Sequence, residues 1–177
     1  MAEQNFDIQI DDIRLQRALE RLDKSLKNLK PAFEEIGEIL VTSVTRNFEA
    51  GGRYRRAGDW RGGSRTWRPL SVATLFKGKA SRFATKAGKF SNKGINFLKN
   101  RKALFQKGNL LNSINWRASN DSVQVGTNRV YAAIHQFGGK AGRGKKVTIP
   151  ARPYLVVQDE DLDQALDVLD DFLLGNI

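Results

Sequence analysis

The sequence has no cysteine among its 177 residues and a single histidine, His135. The absence of cysteine excludes disulfides, zinc–thiolate sites, iron–sulfur clusters and cysteine nucleophiles. One histidine excludes metal sites that take two histidines from one chain. We therefore expect neither a metal nor any other cofactor.

Long apolar runs are also missing. A membrane-spanning helix needs about 18 to 20 apolar residues, whereas the longest runs here resemble residues 154–157 (YLVV). The first seven residues, MAEQNFD, lack the basic and apolar segments of a secretory signal peptide. The sequence predicts a soluble protein of the cytoplasm, with no membrane partner.

Charge is abundant and unevenly distributed. The chain carries a net charge of +11, but residues 53–107 alone hold sixteen basic residues and one acid, Asp59. The last twenty residues hold seven acids and no base. Opposite charges at two places on one chain would let copies dock with matched potentials. The alternative is that both segments are solvated faces.

An amphipathic pattern predicts two N-terminal helices. Apolar residues recur every three or four positions over residues 11–29 and again over 31–49. Asp11 or Asp12 can cap the first helix, and Pro31 separates the two because proline suits a first helical turn. A Gly-Gly pair at 51–52 ends the second helix.

The basic middle of the chain shows neither helical nor strand periodicity. Residues 51–68 are rich in glycine and arginine and are predicted to form a loop. Residues 77–102 combine low apolar content with many like charges, which disfavours a packed structure. We expect an exposed or partly disordered arm whose phenylalanines at 83, 90 and 97 attach it elsewhere or form a short helix on docking.

Short elements separated by turn residues follow from residue 108. Residues 110–116 and 122–126 predict a hairpin with its turn at 119–121. Residues 131–137 predict a helix that Gly138 and Gly139 end with a left-handed turn.

The chain then continues through a basic glycine-rich loop at 140–146 and a short strand at 147–149. A rigid Pro-Ala-Arg-Pro link follows, and then a helix from Asp159 with acids in its first turn.

Together these elements predict an α+β fold. N-terminal helices and a C-terminal helix pack on a small, mostly antiparallel sheet. We expect residues 1–177 to form a single domain with a long basic loop insertion at about 76–103.

No catalytic pattern is complete. His135 has no neighbouring acid, and no serine stands in a nucleophile elbow. The glycine-rich pieces at 138–146 lack the spacing of a phosphate-binding loop, and the acidic tail lacks the glycine of a calcium loop. The sequence predicts a protein that is not an enzyme; a small hydrolase would require an unrecognised site around His135.

Nucleic-acid binding has better support. Aromatic residues interleave with the basic segment and could stack on bases while lysine and arginine pair with phosphates: Trp60, Trp67, Phe76, Phe83 and Phe90. No known nucleic-acid-binding module is present, so only sequence-independent contact is indicated. The arginines could equally bind carboxylates of neighbouring subunits.

Five short motifs occur in order along the chain: residues 67–74 (WRPLSVAT), 108–114 (GNLLNSI), 125–128 (VGTN), 131–139 (YAAIHQFGG) and 149–155 (IPARPYL). Together they resemble the phage virion morphogenesis family, the tail-completion or neck proteins of Mu-like tailed phages. The resemblance covers about residues 31–173. The insertion at 76–103 is longer than the family leads us to expect.

This resemblance implies a structural virion protein that assembles as a ring, a hexamer or a dodecamer, at the junction of head and tail. Its neighbours would be connector or portal-side proteins and tail-terminator or tail-tube proteins, with phage DNA in the lumen. The protein would reside in the neck of the virion and in the host cytoplasm during assembly. The alternative is a sequence-independent nucleic-acid-binding protein that acts outside a virion ring.

Candidate residues fall into three groups, with none assigned to catalysis or metal binding. Candidates for contact with lumenal DNA or the connector are Lys77, Lys79, Arg82, Lys86, Lys89, Lys93, Lys99, Arg101 and Lys102. Candidates for contacts between subunits are Arg53, Arg55, Arg56, Arg152, Asp159, Asp163 and Asp167. Residues expected to be architectural are Trp67, Leu70, Gly126, Tyr131, His135, Gly138, Gly139, Pro150 and Pro153.

Trp67 and Leu70 are expected to anchor their loop on the core, and Gly126, Gly138 and Gly139 to allow tight turns. Arg152 would pair with an acid of its own chain or of the next subunit. His135 would form a local hydrogen bond.

Overall fold

The computed structural model describes residues 13–71, 74–75, 83, 85, 89–99, 103–105 and 108–175, with Leu98 and Lys99 described in their backbone only. Its elements are α1 (Ile13–Leu26), α2 (Lys30–Ala50), α3 (Asn92–Lys99), β1 (Ile114–Ala118), β2 (Val123–Thr127), α4 (Ala132–Phe137), β3 (Gly139–Ala141), β4 (Val147–Ile149) and α5 (Asp159–Leu174). The predicted α+β class is confirmed. None of the helices in these ranges is long and apolar enough to cross a membrane.

The first two helices form where the apolar pattern predicts them. α2 begins at Lys30 with Pro31 in its first turn, where the missing N–H has no helical acceptor to lose. Gly51 ends α2 in the left-handed conformation (φ 73°), which glycine adopts without strain. The proposed caps Asp11 and Asp12 lie outside the described residues.

Among the described residues, two separate antiparallel hairpins take the place of one small sheet. β1 pairs with β2, with Ile114 opposite Thr127, and β3 pairs with β4, with Gly139 opposite Ile149. The predicted loop over 140–146 begins too early, since β3 extends to Ala141. Gly142 (φ 79°) and Gly144 (φ 69°) turn the chain between β3 and β4.

Two further predicted details need correction. Residues 111–113 form a 3₁₀ turn rather than strand, because the Ser113 hydroxyl donates to the Leu110 carbonyl and tightens the chain before β1. Gly138 ends α4 with φ 75° and ψ −179°, an extended conformation of positive φ rather than the left-handed one. This conformation carries the chain directly into β3.

The core has two parts, and α2 contributes to both. Its N-terminal half places Ala32 and Ile36 against Val168 of α5. Its C-terminal half belongs to a second cluster formed by Val44, Phe48, Trp67, Leu110, Ile114, Ala132 and Tyr154. α2 therefore joins the C-terminal helix to the β1–β2 hairpin and to the segment that precedes α5.

Much of the basic insertion lies outside the described residues, but one part is organised. Phe83 stacks on Phe97 of α3 with ring centroids 4.9 Å apart. Gly94 of α3 faces Phe83, whose Cβ would lie 2.9 Å from an added methyl group. A short helix therefore forms within the segment that the sequence predicts as an arm, and two of its three phenylalanines pack on each other.

Candidate assembly surface

The segment between β4 and α5 is held by side chains from three other elements. The indole Nε1 of Trp67 donates to the Pro153 carbonyl at 2.7 Å. The Asn47 side chain donates to the Tyr154 carbonyl at 2.9 Å and accepts from the Arg53 backbone N–H at 2.6 Å. Pro153 and Tyr154 are fully buried. The extended link at residues 150–158 is thus a largely buried, hydrogen-bonded segment, which we call the strut.

Gln136 on α4 completes this arrangement. Its Oε1 accepts the backbone N–H groups of Tyr154 at 2.9 Å and Leu155 at 3.0 Å, and its Nε2 donates to the Leu155 carbonyl at 2.9 Å. Sequence reasoning missed both Asn47 and Gln136. The available signal for Asn47 was a polar residue three positions after Val44 and next to Phe48, on the apolar face of α2.

Arg152 lies in this strut but pairs with no carboxylate among the residues that the structure describes. Its side chain is 5% exposed, and it donates to the backbone carbonyls of Arg68 at 3.1 Å and Pro69 at 3.4 Å. Burial, and then the charge of Arg68, lower the pKa of Arg152. Arg152 therefore fastens the loop after Trp67 to the strut, an arrangement that the two predicted alternatives did not include.

His135 lies next to Arg152 and stabilises the same strut through its backbone. Its carbonyl accepts the Arg152 N–H at 2.7 Å, and its ring contacts Tyr131 edge-on at 5.9 Å. Within the described part of the chain its Nδ1 atom is buried without a hydrogen-bond partner. Burial, and then the Arg152 charge, lower the pKa of His135.

The other architectural candidates occupy different environments. Leu70 is half-buried and outside both core clusters, Pro150 is half-buried, and Tyr131 is 43% exposed. Gly138 and Gly139 have positive φ of 75° and 150°. Gly126, by contrast, lies within β2 opposite Asn115 and has open space where a Cβ would stand. The predicted turn at Gly126 is therefore absent.

The glycine- and arginine-rich loop at residues 51–68, which follows α2, contacts the beginning of α5. Arg53 forms an ion pair with Glu160, and Arg61 pairs with Asp159 at 2.9 Å. Gln158 donates to the Arg53 carbonyl at 2.7 Å, and an added Cβ on Gly62 would lie 2.0 Å from the Gln158 side chain. Arg53 and Asp159, both predicted to act between subunits, thus have partners within the chain.

The remaining charged candidates are exposed. Arg55 and Arg56 on the loop, and Asp163 and Asp167 on α5, form no ion pair with the residues that the structure describes. In the basic insertion, Lys89 and Lys93 are exposed and Lys99 is described in its backbone only. The other candidates for DNA or connector contact lie outside the described residues: Lys77, Lys79, Arg82, Lys86, Arg101 and Lys102.

Some apolar and aromatic side chains are exposed as well. Trp60 is 55% exposed with the Arg61 guanidinium 4.8 Å from its ring centroid, and Val130 and Phe137 are 99% and 67% exposed. Aromatic and arginine side chains are enriched in protein interfaces. Across the described ranges no cluster of acidic and histidine residues could hold a metal ion. The arrangement is suited to contacts with other macromolecules.

Comparisons with known proteins agree on one family. A model of the phage virion morphogenesis family matches residues 10–173. The chain is 33% identical over 155 residues to Mu-like prophage FluMu G protein 2 of Haemophilus influenzae, an alignment that covers 88% of this chain and 86% of that protein. No solved structure is significantly similar to the chain.

Proposed function

Because this chain belongs to the phage virion morphogenesis family, we propose that it is a non-enzymatic structural protein that forms a ring at the head–tail junction of a tailed phage. The observation that carries this proposal is the separation of charge on one chain. Seven acids lie in the last twenty residues, and residues 53–107 carry a net charge of +15.

A ring is built from heterologous contacts, in which one surface of a subunit meets a different surface of the next. A chain with an acidic helix at one place and basic surfaces elsewhere meets that requirement. We propose a hexamer or a dodecamer that contacts a connector or portal-side protein on one side and a tail-terminator or tail-tube protein on the other. The protein would be in the host cytoplasm before assembly and in the virion neck afterwards.

DNA would pass through the lumen of this ring without being read for sequence. The exposed Lys89 and Lys93 belong to an insertion whose residues 77–102 include nine basic residues and no acidic one. Contact between lysine and DNA phosphates is sequence-independent and weakens as salt rises. An insertion of this composition suits a surface along which DNA slides.

A structural role also fits the surroundings of the sole histidine. In the described residues, His135 contacts Tyr131 and Arg152, and neither a nucleophile nor an orienting carboxylate bonds to its ring. A general base needs a proton-bearing partner within about 3 Å in a plausible substrate pose. We propose that His135 stabilises the strut rather than reacting.

Removal of the protein from a phage that encodes it tests the proposal. Negative-stain images of particles from the deletion strain should show filled heads beside finished, unjoined tails, and expression of the chain in trans should restore joined virions. Tails of abnormal length would instead assign the protein to tail termination. Normal virions from the deletion strain would refute a structural role.

The alternative function, a nucleic-acid-binding protein that acts outside a virion ring, is favoured only by the basic insertion. It requires that the isolated monomer bind duplex DNA tightly, with log affinity falling linearly as log salt rises. Purified virions distinguish the two functions, because a ring component remains in the particle and a free DNA-binding protein does not.

A further inference from the structure

α5 has one exposed acidic face without counter-charges among the residues that the structure describes. Asp163, Asp167 and Asp170 recur at intervals of four and three residues, which places them on one side of the helix. All three are exposed, and none forms an ion pair within the described part of the chain. At the end of the same helix Leu174 is 76% exposed. We call these four residues the acidic face.

α1 carries a face of opposite charge with the same spacing. Arg17, Arg21 and Lys24 also recur at intervals of four and three residues, and all are exposed without an ion pair to any described residue. Ile13, on the same side of the helix, is 57% exposed. The leucines of α1 lie roughly half a turn away. Glu20, three residues after Arg17 and four before Lys24, is exposed on the same side, so this face carries three positive charges and one negative charge. We call Ile13, Arg17, Glu20, Arg21 and Lys24 the basic face.

The two faces match when the helices run antiparallel. Ile13 then stands opposite Leu174, Arg17 opposite Asp170, and Lys24 opposite Asp163, over intervals of equal length on the two helices. Each interval spans about 16 Å. Glu20 stands opposite Asp167, a like-charge pair beside which Arg21 supplies a positive charge, between Asp167 and the 60% exposed Leu166. One register therefore joins an apolar pair at one end to two opposite-charge pairs along the contact.

Within the part of the chain that the structure describes, the two faces do not pair with each other. α1 and α5 of one chain are already in contact, yet no ion pair joins the basic face to the acidic face. The acids at the start of α5 have partners of their own, since Asp159 pairs with Arg61 and Glu160 with Arg53. Among the described residues the acidic face thus has no counter-charge.

We propose that the basic face of α1 in one copy docks antiparallel on the acidic face of α5 in the next copy. This inference rests on the proposed ring, whose subunit contact it identifies. The contact joins two different surfaces, so it repeats from copy to copy and closes when the rotation per subunit allows. Exposed ion pairs are individually weak and screened by salt, so assembly should fall as ionic strength rises.

Charge reversal of the full-length chain tests the contact. R17E/K24E and D163K/D170K should each weaken self-association at least about tenfold in sedimentation experiments, because like charges then face each other. An equimolar mixture of the two variants should assemble again, since each offers the face that the other lacks. The control R143E/K146E makes the same charge change on exposed residues of the β3–β4 turn and should assemble as the wild type does.

A cross-link tests the register inside assembled particles. The chain has no cysteine, so in I13C/L174C only the two introduced thiols can react with a short bis-maleimide. A ladder of covalent multimers is expected, whereas I13C/V130C should give none. Absence of the ladder, or reversal variants that assemble normally, would overturn the contact while leaving the ring intact. Normal head–tail joining without the protein, together with a ladder in solution, would overturn the proposed function but not the contact.

Discussion

The indole of Trp67 donates a hydrogen bond of 2.7 Å to the carbonyl of Pro153, 86 residues later in the chain. The bond joins the first and last of the five family motifs. Phe48 of α2 lies edge-on to the Trp67 ring at 5.4 Å and also contacts Tyr154. A loop, a helix and the strut before α5 therefore meet at one buried indole.

Replacement of Trp67 by phenylalanine should destabilise the fold. The smaller ring retains aromatic packing but removes the N–H, and the Pro153 carbonyl keeps only the longer contact from Asn47 at 3.3 Å. Loss of one buried hydrogen bond costs about 1 to 3 kcal/mol, which urea denaturation can measure. W60F, at a 55% exposed position, is the matched control and should leave the midpoint unchanged. Equal midpoints for both variants would show that the indole bond contributes nothing.

Ser43 should be required for the docking of α5 on α2. Its hydroxyl donates to the Asp161 carboxylate at 2.6 Å. Asp161 is 2% exposed, and the other donor to its carboxylate among the described residues is the Gln158 N–H at 2.8 Å. S43A leaves a buried carboxylate with fewer donors and should lower the free energy of unfolding by about 1 to 3 kcal/mol. T42A, at an exposed position of the same helix, should cost much less. A cost of S43A no greater than that of T42A would contradict this role.

Gly37 should respond to substitution in the direction opposite to ordinary helix propensity. Alanine in place of glycine within a helix usually stabilises by about 1 kcal/mol. At Gly37, however, an added Cβ would lie 2.7 Å from two ring atoms of Trp116. G37A should therefore destabilise the fold by displacing β1 from α2. In G37A/W116L, which removes the ring, thermal unfolding should show a smaller penalty for G37A than in the wild-type background.

The sequence predicted the helices well because their signals are local. Pro31, Gly51 and the regular leucines act within one or two turns. The division of the strands into two hairpins was not predicted, because the glycine-rich stretch that holds β3 and the turn at Gly142 and Gly144 has no apolar alternation that would indicate a strand. Gly126 was misjudged because a glycine in a short strand has the same sequence signature as one in a turn. Arg53 and Asp159 were assigned to subunit contacts, since the sequence alone could not show that each has a partner within the chain.

The pH dependence of stability should have one identifiable contribution from His135. Burial and the Arg152 charge lower its pKa in the folded state below the usual 6.5, so between these two pKa values the unfolded chain binds more protons. Above about pH 6.5 the histidine is neutral in both states and costs no stability. As the pH falls from 6.5 toward the lower folded-state pKa, the free energy of unfolding decreases. Denaturation at pH 7.5 and pH 5.5 should show a smaller loss of stability for H135Q than for the wild type. An equal loss in both would assign the effect to the carboxylates.

The charge of the insertion, rather than its bulk, should govern its contact with DNA. Deletion of the basic insertion would also remove the stack of Phe83 on Phe97, and it would disturb Ala103 and Leu104, which pack against the core. The sharper variant changes the nine basic candidates to glutamine and keeps every phenylalanine: Lys77, Lys79, Arg82, Lys86, Lys89, Lys93, Lys99, Arg101 and Lys102.

Each phosphate contact that this variant loses should reduce the slope of log affinity against log salt by about 0.9, and particles carrying it should retain less DNA. The matched control exchanges lysine for arginine, and arginine for lysine, at the same nine positions, and should behave as the wild type because it conserves charge. Equal salt slopes and equal DNA retention in the two variants would mean that the insertion meets protein rather than DNA. In that case the glutamine variant should instead fail to join heads to tails.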